Sequence, residues 1–308
     1  MRVLEVLLPV LIMILLGMFC RKMNFLKRSS IDGLKFLTTK IILPVAIFHA
    51  LGTAAYSGNA VKIVGIMFGM LVVSFGIGFL LKAFVKEHYK KYVPFMVSVY
   101  EGGMMAYPLF ANLCGAENLS QIALLDIAGL LFGFSIYMSL LSQVEGGERI
   151  SIKQLWVDST RNPSFIATVL GLVAGITGLL NLLIGSPLGE AYLATKDMII
   201  TPLSAIILII VGYEMEPNVR LLKPCFQTIL LRFLLQACMI AGVLFCVHHW
   251  MGANQVRDIA IIIYMSAPAT FSMQSFLKSE EGSSYVSTTN SLYCFVSIAV
   301  YAVVAAIM

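Results

Sequence analysis

Charge is the scarcest commodity in this chain. Only 12% of its 308 residues are Asp, Glu, Lys or Arg, roughly half the share of an ordinary globular domain, while 59% are hydrophobic. One soluble core cannot hide that much apolar side chain, so the composition points to an all-α polytopic membrane protein embedded in a lipid bilayer. Paired cysteines are missing too. Cys20, Cys114, Cys225, Cys238, Cys246 and Cys294 are scattered, with no CxxC and no Cys/His cluster, and they read as small apolar side chains. Histidine is limited to four residues. His248 and His249 lie at a helix end without a third ligand nearby in sequence, so no metal is expected. His49 alone lies deep in an apolar run, where it reads as a hydrogen-bonded packing residue. The excess of basic residues, net +5, is spread over short loops, and no nucleic-acid partner is expected. GxSxG, HExxH and paired His with acidic ligands are all absent, which counts against an intramembrane enzyme, and no cofactor is expected beyond a proton or Na⁺ as coupling ion.

What is present is a series of apolar runs. At about 20 residues per span, segments fall at 3–20, 34–54, 61–85, 93–114, 120–143, 163–183, 193–213, 225–249, 257–277 and 284–307. The first has no small-residue cleavage site before its basic cluster and is expected to stay in the mature protein. Lys and Arg then sort sharply: sixteen of the 21 lie in or beside the odd loops, four (Arg2, Lys62, Lys196, Arg257) beside the even ones or the ends, and Arg232 lies within segment eight. Basic residues collect on the cytoplasmic side, so both termini are expected outside a cytoplasmic, or inner, membrane. Arg232 is expected to snorkel back to the cytoplasmic interface along its long stem. Glu145, Glu148 and Arg149 read as a solvated loop.

Ten spans divide into two halves of five, 1–150 and 151–308, and an odd number per half inserts the halves in opposite senses. Segment two (TTKIILPVAIFHALG) and segment seven (ATKDMIITPLSAIILIIVG) each place Thr and Lys before a central proline, Pro44 and Pro202. Segment four carries Tyr100 and Pro108, and segment nine Tyr264 and Pro268. One proline kink marks nothing in particular, but two interrupted segments at corresponding places are a pointer to a midplane binding site. Glu101 sharpens that pointer, because a carboxylate at bilayer depth costs at least a few kcal/mol, about 2.5 to 3.5 on insertion scales. The glycine spacings Gly65/Gly69, Gly129/Gly133 and Gly171/Gly175 read as helix-packing faces.

The opening stretch LLPVLIMILLGMFCRKMNFLKRSSIDGLKFLTTKIILPVAIFHAL and the Asn162-Pro163 start of segment six, RNPSFIATVLGLVAG, resemble the auxin efflux carrier family, whose bacterial branch includes malate and malonate permeases. The resemblance covers essentially the whole chain. It implies ten transmembrane helices in two inverted five-helix repeats, with helices four and nine broken and crossing near the midplane. It also implies a scaffold bundle of helices 1, 2, 6 and 7, a transport bundle of helices 3, 4, 5, 8, 9 and 10, and an elevator-like displacement carrying a small organic anion. A homodimer is compatible with both the family and the apolar outer faces. The chain departs from the family where Glu101-Gly102-Gly103 stands in place of an Asn-x-Gly-like stretch.

On that resemblance, half-helix amino ends around Ala106 to Ala111 and Pro268 to Gln274 offer amides to a carboxylate ligand. The expected substrate site comprises Tyr100, Glu101, Gly102, Gly103, Tyr107, Pro108, Asn112, Ser266, Pro268, Thr270, Gln274 and Asn290, with Ser272 and Tyr293 nearby. Glu101 and Asp126 are the candidates for proton or Na⁺ coupling. Each has a plainer alternative, Glu101 as a partner for segment-nine hydroxyls and Asp126 as an outer-interface residue. The polar run 283–291 reads as cavity lining or as a helix cap. The reading is a secondary active permease coupled to protons; a Na⁺-coupled carrier or a transporter-like sensor or channel are the alternatives.

Overall fold

The computed structural model describes residues 2–54, 56, 58–144, 146, 151–215 and 218–308. The loop read from Glu145, Glu148 and Arg149 lies outside the described residues. Among the described residues, six helices are long and apolar enough to cross a membrane: Arg28–Gly52, Gly58–Phe84, Ser120–Val144, Gly189–Glu214, Val219–Met251 and Glu280–Ile307. No strand occurs among the described residues; the one β-type contact is an isolated bridge between Tyr100 and Ala269.

In chain order, α1 (Arg2–Lys22) is followed by α2 (Arg28–Leu37), which runs through a π-helical turn into α3 (Leu43–Gly52). That turn, Thr38–Ile42, widens the helix just before Pro44, whose ring nitrogen cannot continue the ladder. Next come α4 (Gly58–Leu81), the single turn α5 (Val93–Met96) and α6 (Tyr107–Cys114). α7 (Ser120–Phe132) and α8 (Met138–Val144) form one span through the π-helical stretch Gly133–Tyr137. The short α9 (Ile152–Ser159) leads to α10 (Pro163–Ile176), where Asn162 Oδ1 accepts the Ser164 amide at 2.9 Å and the Phe165 amide at 3.4 Å. Pro163 has no amide to leave unpaired, so Asn-Pro starts this helix cleanly.

The second half continues with α11 (Leu179–Ile184), α12 (Gly189–Ile200) and α13 (Leu203–Glu214). Thr201 and Pro202 form the turn between the last two. Then follow α14 (Leu222–Met251), α15 (Gln255–Met265), a 3₁₀ stretch Phe271–Phe276, and α16 (Glu280–Ile307).

Apolar side chains point both ways. Leu8, Leu15 and Phe19 of α1, and Phe226, Phe233 and Phe245 of α14, are exposed, as expected where the solvent is lipid. The buried core gathers instead around the two interrupted segments, 93–114 and 255–270, where Tyr107, Phe110, Tyr264 and Met265 have no exposure.

Glycine decides where backbones touch. A Cβ on Gly17 would collide with the Ile209 carbonyl and lie 2.8 Å from the Tyr213 amide, and one on Gly212 would collide with the Ile14 carbonyl. α1 and α13 therefore pack backbone to backbone. Gly171 sits in the same way on α3, with Phe48 O 3.0 Å from its Cβ position, and Gly175 lies against the Leu51 carbonyl. The other expected packing faces differ. Gly65, Gly69 and Gly133 have nothing within 4 Å of a Cβ, and Gly129 faces the Tyr264 hydroxyl. Spacing alone does not say which side of a helix meets a neighbour.

Candidate functional site

Two spans lose their helix in mid-course, and the two gaps meet. The first gap runs from residue 97 to 101, between α5 and a π-helical turn, Gly102–Ala106, that leads into α6. The second runs from 266 to 270, between α15 and the 3₁₀ stretch. The Glu101 amide donates to the Pro268 carbonyl at 2.8 Å, within the bridge that pairs Tyr100 with Ala269. Peptide groups that lose their helical partners thus find each other, which is the condition for leaving a helix at bilayer depth.

Glu101 closes both new amino ends. Its Oε1 accepts the Met104 amide at 3.2 Å, capping the first, and its Oε2 accepts the Phe271 amide at 2.7 Å, the first residue of the second. Free amides at a helix start carry partial positive charge, so one carboxylate serves two such ends.

Around it the packing is tight. A Cβ on Gly102 would stand 2.6 Å from Asp126 Oδ1, and one on Gly103 would stand 2.7 Å from Leu43 Cδ2. Asp126 Oδ1 accepts the Tyr264 hydroxyl at 2.9 Å. These groups line a cavity of about 420 Å³ bounded by α2, α3, α7, α10 and both gaps; Lys35, Thr39, Leu43, Tyr100, Glu101, Asp126, Asn162 and Thr270 are among its walls. A second cavity of about 440 Å³ lies beyond Phe271, lined by Arg21, Arg28, Lys35, Glu214, Gln274 and Asn290 among others. Phe271 and Lys35 belong to both walls. Lys35 Nζ also pairs with Glu214 at 3.0 Å, which Arg28 joins at 3.3 Å.

The sequence model for membrane transport proteins matches residues 2–304. The chain belongs to the auxin efflux carrier family. It is therefore a membrane transporter, of a family of transporters rather than enzymes. No curated protein matches it in sequence.

In this auxin efflux carrier, the expected site residues divide between places. Tyr100, Glu101, Gly102, Gly103, Asp126, Thr270 and Ser272 share the first cavity, while Gln274 and Asn290 face the second. Asn290 is buried with neither side-chain polar atom partnered. Ser284, Ser287, Thr288, Asn290 and Ser291 put the polar run 283–291 along the second cavity, and Ser279 instead caps α16. Pro268 contributes its carbonyl. Ser266 is turned back on its own helix, donating to Ile263 O at 3.0 Å. Asn112 accepts from the Tyr301 hydroxyl, and the buried Tyr107 hydroxyl has no partner among the described residues. Tyr107, Pro108, Asn112 and Ser266 line neither cavity.

Two expectations need correction, and one alternative falls away. The first half-helix begins at Gly102, not near Ala106, because Pro108 is the second residue of α6 and the wider π-helical turn before it absorbs the missing donor. Asp126 sits against Gly102 and Tyr264 rather than at an outer interface. Arg232 does not snorkel: it has no exposure, and its guanidinium donates to the Met96 carbonyl and, at 2.8 Å, to the Ala267 carbonyl. Sequence reasoning missed Gln236, which holds Val97 O at 2.8 Å and accepts from the Tyr100 hydroxyl. Its place one helical turn after Arg232 was the available signal. His49 Nδ1 meets the Tyr192 hydroxyl at 3.0 Å, and His248 Nε2 meets Asp258 at 2.8 Å.

Proposed function

We propose that this transporter is a secondary carrier of a small organic anion, a carboxylate by preference, in the cytoplasmic membrane, and that Glu101 couples its movement to protons. The observation that carries the reading is the single carboxylate shared by the two half-helix amino ends, at Met104 N and Phe271 N. Those amides are the groups a substrate carboxylate would seek. While Glu101 is ionised it fills them itself. A proton on Glu101 removes the competing charge and lets the anion take its place, so proton and anion travel together.

The same reading assigns ten transmembrane helices to two inverted five-helix repeats, residues 1–150 and 151–308, with both termini outside and broken helices four and nine crossing at the site. The correspondence of the two gaps supports this. The glycine contacts of α1 with α13 and of α3 with α10 suit a rigid scaffold of spans 1, 2, 6 and 7. The cavity around Glu101 lies between that frame and the remaining spans, where an elevator-like displacement would carry it across.

Uptake by proteoliposomes with an imposed pH gradient tests the coupling, after a thermal-shift screen against mono- and dicarboxylates has supplied a substrate. Glu101→Gln is expected to abolish gradient-driven accumulation while retaining binding and exchange. Unchanged uptake with unchanged pH dependence would sink the proposal.

A further inference from the structure

Arg232 is a buried cation for which the anion-binding groups above have no use. Its side chain leaves α14 and reaches the far side of the two gaps from Glu101's contacts with Met104 N and Phe271 N. Nη1 donates to Met96 O, the last residue of α5, and Nη2 to Ala267 O, two residues past α15. The guanidinium carbon stands 5.3 Å from the Tyr100 ring centre and 4.9 Å from that of Tyr293. One turn further along α14, Gln236 holds the Val97 carbonyl. No acidic side chain forms a salt bridge with Arg232 among the described residues. A full charge is thus held at bilayer depth by carbonyls, aromatic faces and the Tyr293 hydroxyl, an expensive arrangement without a counter-ion.

The chemistry of the partners says what the charge does there. Met96, Val97 and Ala267 present carbonyls freed from helix at the ends of two half-helices, where the dipole is negative. Facing carbonyls of this kind, from unwound segments near the midplane, are what bind Na⁺ in ion-coupled carriers. Here the positive charge is covalently attached. The planar fork spans two carbonyls at once, and the two rings cover its faces.

We propose that Arg232 is a tethered counter-cation: its guanidinium occupies the place of an alkali cation between the carboxyl ends of the two half-helices, so the carrier needs no Na⁺ at this position. The inference deepens the carrier reading and rests on the meeting gaps being its transport centre. It also argues against Na⁺ coupling through this carbonyl cluster, which the guanidinium already fills.

Thermal unfolding of the purified protein in NaCl against choline chloride, at equal ionic strength, tests this without substrate or transport. The unsubstituted protein is expected to unfold at the same temperature in both salts. Arg232→Gln and Arg232→Ala leave the carbonyls facing an uncharged gap and are expected to gain a Na⁺-specific, saturable rise of about 3 °C or more. Arg232→Lys keeps a charge and is expected to stay indifferent to Na⁺. A role in folding alone would lower all three variants equally in both salts, and that result overturns the proposal. So does Na⁺-specific stabilisation of the unsubstituted protein, which remains measurable even if no variant folds. Because the readout is cation binding, it stands or falls separately from the Glu101→Gln uptake experiment.

Discussion

The Phe271 amide donates to Glu101 Oε2 at 2.7 Å, so the start of one half-helix is held by the residue that starts the other. In the reverse direction the Glu101 amide reaches Pro268 O at 2.8 Å. The two interrupted spans are therefore tied by a carboxylate on one side of the gaps and, through Arg232, by a cation on the other. Opposite charges sit where the helix ends of opposite polarity want them, and neither needs the other as a direct partner.

The two glycines after Glu101 should not be equivalent. A methyl at Gly102 meets Asp126 Oδ1, a group fixed by Tyr264, whereas one at Gly103 collides with the end of the Leu43 side chain and stands 3.8 Å from Glu101 Oε1. Gly102→Ala is expected to cost about 1–3 kcal/mol and most of the transport, since the carboxyl group cannot step aside without losing its hydrogen bond. Gly103→Ala should cost under about 1.5 kcal/mol, because Leu43 can change rotamer. Thermal unfolding and uptake of the two variants side by side check this; equal losses would contradict it.

Helix contact, rather than glycine spacing, should set the response to added bulk. Gly17→Ala or Gly212→Ala forces α1 from α13 and is expected to destabilise by about 1–3 kcal/mol. Gly65→Ala and Gly69→Ala fill open space and should be neutral or stabilising by about 0.5–1 kcal/mol, through the better helix former. Unfolding of the purified variants in one detergent is the measurement, and a drop at Gly65 like that at Gly17 would refute the contact.

Tyr264 and Asp126 should behave as one unit. Tyr264→Phe removes the hydroxyl that reaches Asp126 Oδ1, at an expected cost of about 0.5–1.5 kcal/mol for one hydrogen bond. In an Asp126→Asn background the same change should cost less, giving a coupling of about 0.5–1.5 kcal/mol in a double-mutant cycle. Additive losses would mean that the two side chains act separately.

Much of this was open to reading before any coordinates. The twin interruptions, Glu101 at the first of them, Pro268 in the second and the Asn162-Pro163 helix start are local features, written in residues whose backbone or solvation preferences leave little choice. The candidate site was legible in part. Tyr100, Glu101, Gly102, Gly103, Asp126 and Thr270 share one cavity, but Asn112 and Ser266, just as polar and as near in sequence, spend their groups on Tyr301 and Ile263. A polar residue in a span announces that it needs a partner, and the partner is set by helix rotation, which sequence spacing constrains weakly.

Arg232 marks the boundary between the two kinds of knowledge. By itself the sequence determined that this is a membrane protein of many helices, that the apolar stretches 93–114 and 257–277 are interrupted, and that Arg232 lies within an apolar run, because apolar length, proline and charge act through the chain's own neighbourhood and the solvent around it. Only the tertiary structure decided that the base turns inward to Met96 O and Ala267 O, and that one carboxylate serves amides 167 residues apart, at Met104 and Phe271. Unpaired peptide groups in lipid must find partners, and which ones they find depends on which helix ends the fold brings face to face.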